Sequence, residues 1–72
     1  MPKLPAIRPK RLVAALERLG FYEVRQKGSH LQLKRGNLLA TVPMHGADLS
    51  PALLRSILRQ SRISIEELLE VL

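Results

Sequence analysis

Histidine is the side chain whose ordinary pKa lies nearest neutrality, and this chain of 72 residues has two, His30 and His45. Arg25 and Lys27 precede His30, Lys34 and Arg35 follow it, and Gly28 and Ser29 stand directly before it. An imidazole among cations suits proton transfer at a phosphodiester. The imidazole moves a proton, worth about 10²–10⁴-fold in rate, and Lys or Arg stabilises charge on the phosphoryl oxygens. RNA brings its own nucleophile, a 2′-hydroxyl held close to phosphorus. A protein acting on it needs only to accept that proton, hold the phosphoryl charge and protonate the leaving 5′-oxygen. By residue type alone both histidines also suit a plainer role, as hydrogen-bonding surface residues at a turn (His30) and in a loop beside Gly46 (His45).

Other chemistries find less support. Two histidines, no cysteine and a single aspartate, Asp48, give too few ligands for a closed zinc site. Ser29 has no nucleophile-elbow motif around it, and no glycine-rich phosphate loop is present. The expectation is chemistry with no metal and no cofactor.

Twelve Lys and Arg against six acids give a formal net charge of +6. Such a basic excess favours a polyanionic partner, nucleic acid or an acidic protein surface, a membrane surface being the other possibility. The charge is uneven: Lys3, Arg8, Lys10, Arg11 and Arg18 open the chain, whereas Glu66, Glu67 and Glu70 gather at its end. Charge alone also fits the simple solvation of a helix and a hairpin. No segment is apolar over the length of a bilayer span, and residues 1–11 have no signal-peptide core, so a cytoplasmic protein is expected. Absence of cysteine agrees with a reducing compartment without requiring one.

The elements that must carry these residues follow from spacing. Pro2, Pro5 and Pro9 hold the start extended or turned, and Pro9 suits the first position of a helix. Leu12, Ala15, Leu16 and Leu19 recur at helical spacing, and Gly20 supplies a left-handed stop, which predicts a helix over 9–19. Residues 21–27 read as a strand, with charges alternating at Glu23, Arg25 and Lys27. After a Gly28-Ser29 turn, residues 30–34 alternate cleanly. Leu31 and Leu33 take one face and His30, Gln32 and Lys34 the other. Arg35-Gly36-Asn37 is a hairpin connection to a third strand over 38–42. A loop over 44–49 leads to Ser50-Pro51, an N-cap followed by proline, and to a second helix with Leu53, Leu54, Ile57 and Leu58 on one face. Ser64 and Glu67 form a capping box ahead of Ile65, Leu68, Leu69 and Leu72, a short last helix. The expected fold is α+β: one domain over 1–72, α-β-β-β-α with a three-stranded antiparallel meander and an extra C-terminal helix, residues 1–7 being an extension. The helices must cover the Leu31 and Leu33 face, which leaves His30 on the open one.

These residues resemble the HicA toxins of bacterial toxin–antitoxin pairs. The likeness runs through Leu16-Glu17-Arg18-Leu19-Gly20-Phe21, Arg25-Gln26-Lys27-Gly28-Ser29-His30, Thr41-Val42-Pro43-Met44-His45 and Ile63-Ser64-Ile65-Glu66-Glu67, and covers roughly residues 8–72. Met44 stands at the variable position of the Val-Pro-x-His box. The resemblance implies a fold like the double-stranded-RNA-binding domain and cleavage of mRNA without a metal. It implies the histidine of Gly-Ser-His, here His30, as the catalytic residue, and a HicB antitoxin that occludes the site. Lys27 and Arg25 are then candidates to reach the same phosphate. Ser29 is a candidate to bond a phosphate or to cap its turn, and Gly28 to let RNA approach or simply to turn the chain. His45 is a candidate second proton-transfer group. Lys10, Arg11, Lys34 and Arg35 are candidates for tracking the RNA backbone as part of a diffuse field. A non-catalytic RNA-binding module on the same platform needs the basic surface but not the imidazole, and an interaction subunit would use that basic face only to meet an acidic partner.

Overall fold

The computed structural model describes residues 3–72; Met1 and Pro2, with the expectation placed on Pro2, lie outside the described residues. The order is α1 (Pro9–Arg18), β1 (Tyr22–Lys27), β2 (His30–Arg35), β3 (Leu38–Pro43), α2 (Pro51–Ser61) and α3 (Ile65–Val71). The three strands form one antiparallel sheet in the order β1-β2-β3, so the expected α+β meander with an added helix is the fold observed.

α1 starts with Pro9 at its first position and stops at Gly20 (φ +96°). The N–H of Gly20 donates to Glu17 O and that of Phe21 to Leu16 O, each at 3.0 Å, a complete Schellman stop. That stop swings Phe21 into the core, where it is 3% exposed, and β1 begins at Tyr22, one residue later than the spacing predicted. α2 ends in the same way, with Arg62 in the left-handed position (φ 57°) and the N–H of Ile63 on Leu58 O.

Leu31, Leu33, Ala40 and Val42 alternate onto one sheet face and meet Leu12, Leu16, Leu54, Ile57 and Leu68 from the helices. Residue 7 belongs to this core: Ile7 is fully buried and pairs with Leu49, whose N–H donates to Ile7 O at 2.8 Å. The chain is therefore anchored at Ile7, just before α1. The buried Ser61 hydroxyl donates to Ile57 O at 2.7 Å, so it costs the core no unpaired group.

Arg35 joins the layers. Paired with Leu38 and in phase with Leu31 and Leu33, it lies on the helix side of the sheet. Its guanidinium donates to Leu19 O at 2.7 Å and sits 5.0 Å from the centre of the Phe21 ring. A Cβ on Gly20 would come within 3.3 Å of the Arg35 Cδ, so glycine there serves both the left-handed turn and this stack. At the other end, Ser64 Oγ accepts from Glu67 N–H, and Glu67 Oε1 accepts from Ser64 N–H, both at 3.0 Å. The backbone bond from Ser64, then its hydroxyl, hold the Glu67 carboxyl below the usual carboxylate range.

Arg35→Ala should lower the unfolding free energy by roughly 1–3 kcal/mol, from one charge-assisted hydrogen bond and one cation–π contact, read from urea melts. For Glu67, a carboxyl with a lowered folded pKa stabilises fully above its unfolded pKa and loses that contribution as pH falls through the folded value. Glu67→Gln keeps the capping geometry without the titration, so acid melts of this variant should lose less stability between neutral pH and the acid limb than the parent does.

Candidate active site

Strand register decides which side chains share the open face. Lys27 is paired with His30, Arg25 with Gln32 and Tyr22 with Lys34; across the sheet His30 meets Pro43, Gln32 meets Thr41 and Lys34 meets Leu39. Directly paired residues point to the same side with Cβ atoms about 4.5–5.5 Å apart. Three rows therefore cross this face: Lys27-His30-Pro43, Arg25-Gln32-Thr41 and Tyr22-Lys34-Leu39. His30, Arg25, Lys27 and Lys34 are all exposed.

β1 reaches this arrangement only through an irregularity. Pairing runs from Glu23 opposite Leu33 directly to Arg25 opposite Gln32, so Val24 is an extra, bulged residue. Strict alternation would hold Glu23 on the same side as Arg25 and Lys27. The bulge turns Glu23 to the helix side, opposite Leu33, and leaves the two cations on the open side with His30. The carboxylate nearest in sequence is thereby removed from the face that carries the imidazole.

The turn before His30 has two residues. Gly28 takes φ +59°, which glycine adopts without steric cost, and a Cβ there would meet nothing within 4 Å. The Gln26 side chain donates to Gly28 O at 3.2 Å, and Met44 N–H donates to Ser29 O. The turn is thus held by Gln26 and Met44 rather than by the Ser29 hydroxyl, and the Ser29 and His30 side chains are exposed.

His45 is placed with different neighbours. It lines a cleft of about 270 Å³ with Arg8, Pro9, Lys10, Met44 and Gly46, between the start of α1 and the loop after β3. His30 is not among the walls of that cleft. Arg8, a cation not singled out from the sequence, is at the same rim, 3.9 Å from the Asp48 carboxylate. Lys10 and Arg11 are exposed on the first turn of α1. Arg35 lies on the helix side of the sheet, bonded to Leu19 O and stacked on Phe21, so its charge serves the joint between α1 and the sheet. No group of three or more His, Cys, Asp or Glu side chains placed to hold a metal ion occurs among the described residues, and no described helix is long and apolar enough to cross a membrane.

The architecture and face together define a small basic α+β domain that presents an imidazole and cations on the sheet face away from the helices. A model of the HicA toxin of bacterial toxin–antitoxin systems matches residues 9–63, and the chain belongs to that family. No curated protein matches the chain.

The placement of the cations has a measurable consequence. Arg25→Ala and Lys27→Ala should each weaken binding of a single-stranded oligonucleotide. Each should also reduce the slope of log affinity against log salt by about 0.7 for every phosphate that the variant leaves unneutralised. Arg35→Ala, its charge engaged in the fold, should leave the slope unchanged.

Proposed function

We propose that this HicA-family protein is a metal-independent endoribonuclease that cleaves mRNA with His30, the whole chain acting as one toxin domain. The O2′–P bond forms as the P–O5′ bond breaks, leaving a 2′,3′-cyclic phosphate and a 5′-hydroxyl. One proton leaves O2′ and one arrives at O5′; His30 carries one of these transfers and water on the open face the other. Lys27, directly across from His30, and Arg25, one row away, stabilise the charge that develops on the phosphoryl oxygens. Ser29, exposed in the turn, is within reach of the same phosphate. Lys10, Arg11 and Lys34 extend the positive field along which the RNA backbone runs, and the glycine turn at Gly28 leaves room for it.

The observation that carries this reading is the Lys27-His30 pair on a face from which the bulge at Val24 has turned Glu23 away. An imidazole whose neighbours are cations rather than carboxylates is suited to a polyanion. The substrate implies action in the cytoplasm with no cofactor, and family membership implies a HicB antitoxin, which would restrain the toxin by covering the His30 face.

His30→Ala should reduce cleavage of a purified mRNA by at least about 10²-fold while the melting temperature and RNA affinity stay as in the parent. Cutting should continue in EDTA, and a 2′-deoxy substitution at the cut position should block it. Full activity in His30→Ala would remove this residue from the mechanism. Parent protein that binds the RNA and leaves it intact would reduce the chain to a binding module.

A further inference from the structure

Tyr22 has no part in the core. Of the two aromatic residues in the chain, Phe21 is 3% exposed and packs under Arg35, whereas Tyr22 is 55% exposed, the most open of the large apolar side chains among the described residues. Its register partner is Lys34, so its ring lies on the open face with Arg25, Lys27 and His30. The rows on that face are about 7 Å apart, two residues along a strand, comparable to the step between successive phosphates of an extended single strand. Tyr22 stands two rows from His30, with Arg25 in the row between and Lys34 beside it.

An exposed ring among cations is the combination by which proteins hold single-stranded nucleic acid: cations follow the backbone and aromatics stack the bases. A base paired inside a duplex cannot use such a ring. We propose that Tyr22 is a stacking platform for one unpaired nucleobase, about two nucleotides from the phosphate at His30, and that it is a positioning residue selecting single-stranded RNA. This rests on the nuclease reading above. The platform is tolerant of base identity, because every base has a π face. It sets where the strand lies rather than which sequence is cut.

The test uses the full chain carrying His30→Ala, so that RNA stays intact, with a fluorescein-labelled single-stranded RNA and the same sequence as a perfect duplex. Adding Tyr22→Ala should weaken single-strand binding about five- to a hundredfold and leave duplex binding little changed. Tyr22→Phe and Tyr22→Trp should restore it, since the ring and not the hydroxyl is at work. Leu69→Ala, another exposed apolar side chain, on α3, should have no effect. Melting temperatures confirm that each variant is folded; Tyr22→Phe and Tyr22→Trp carry the comparison if the alanine variant is not, tryptophan then binding at least as tightly as phenylalanine.

Unchanged single-strand affinity in a folded Tyr22→Ala protein overturns the proposal, as does a Tyr22→Phe variant as weak as alanine. Intact RNA binding with weakened capture by an antitoxin would also overturn it, assigning the ring to a protein partner. These results leave the nuclease reading standing, because that reading fails separately, if His30→Ala still cuts. A reference protein that binds no RNA at all removes both.

Discussion

β1 faces two demands that a regular strand of its sequence cannot meet together. At its start, the Schellman stop of α1 delivers Phe21 to the core, a burial worth about 1.5–3 kcal/mol. At its end, Arg25 and Lys27 must face away from the helices, since an unpaired buried charge costs far more than a buried ring gains. Phe21, Arg25 and Lys27 are all odd-numbered, and strict two-residue alternation would send all three to one side. One surplus residue resolves the conflict. Val24 takes no place in the pairing, so the residues before it keep one phase and those after it the other. An edge strand tolerates this because only one of its sides is hydrogen-bonded, and a bulged, charged edge also discourages pairing with another chain.

Once the phase is divided, the sheet has two unlike surfaces. The helix side collects Leu31, Leu33, Ala40 and Val42 under α1, α2 and α3, and in a chain this short nearly all of the large apolar side chains are consumed there. The helices extend little cover to β1, every residue of which is exposed. Arg35 compensates at one corner: it reaches from the sheet to the carbonyl of Leu19, just after α1, and lies over Phe21, so the arginine next to the hairpin is structural while its neighbour Lys34 is not. The two differ by a single position along β2, which in a strand is the difference between the two faces.

That contrast marks what spacing alone reveals. Elements announced by local chemistry were legible: Pro9 and Gly20 bound α1, Ser50-Pro51 opens α2, and Ser64 with Glu67 opens α3, each fixed by backbone groups within a few residues. The alternation of β2 was legible too, and it places His30 outside the core. Lys27 and Arg25 were already candidates to share a phosphate with His30, but the rows in which its neighbours stand were not legible. They depend on the register with β1, which a bulge shifts without a glycine or proline to betray it, and so Tyr22 and Lys34 gave no sign of sharing a row with each other or a face with Arg25. His45 was hidden for a related reason. Its companions Arg8 and Lys10 come from the far side of the sequence, brought there by the pairing of Ile7 with Leu49.

Charge on this molecule is sorted by the same geometry. Glu66 and Glu67 occupy the first turn of α3, where the helix dipole favours acids, and Glu67 is further engaged by its capping bonds. Asp48 lies beside Arg8 at the cleft rim, and Glu23 is turned under the sheet edge by the bulge. None of these carboxylates falls in the three rows that cross the open face, although Glu23 is adjacent in sequence to the residues that form them. A net charge of +6 spread at random would leave acids among the cations. Here the folding of one edge strand concentrates the positive field where the imidazole stands, and a surface of that kind gains most from a ligand with many evenly spaced negative charges.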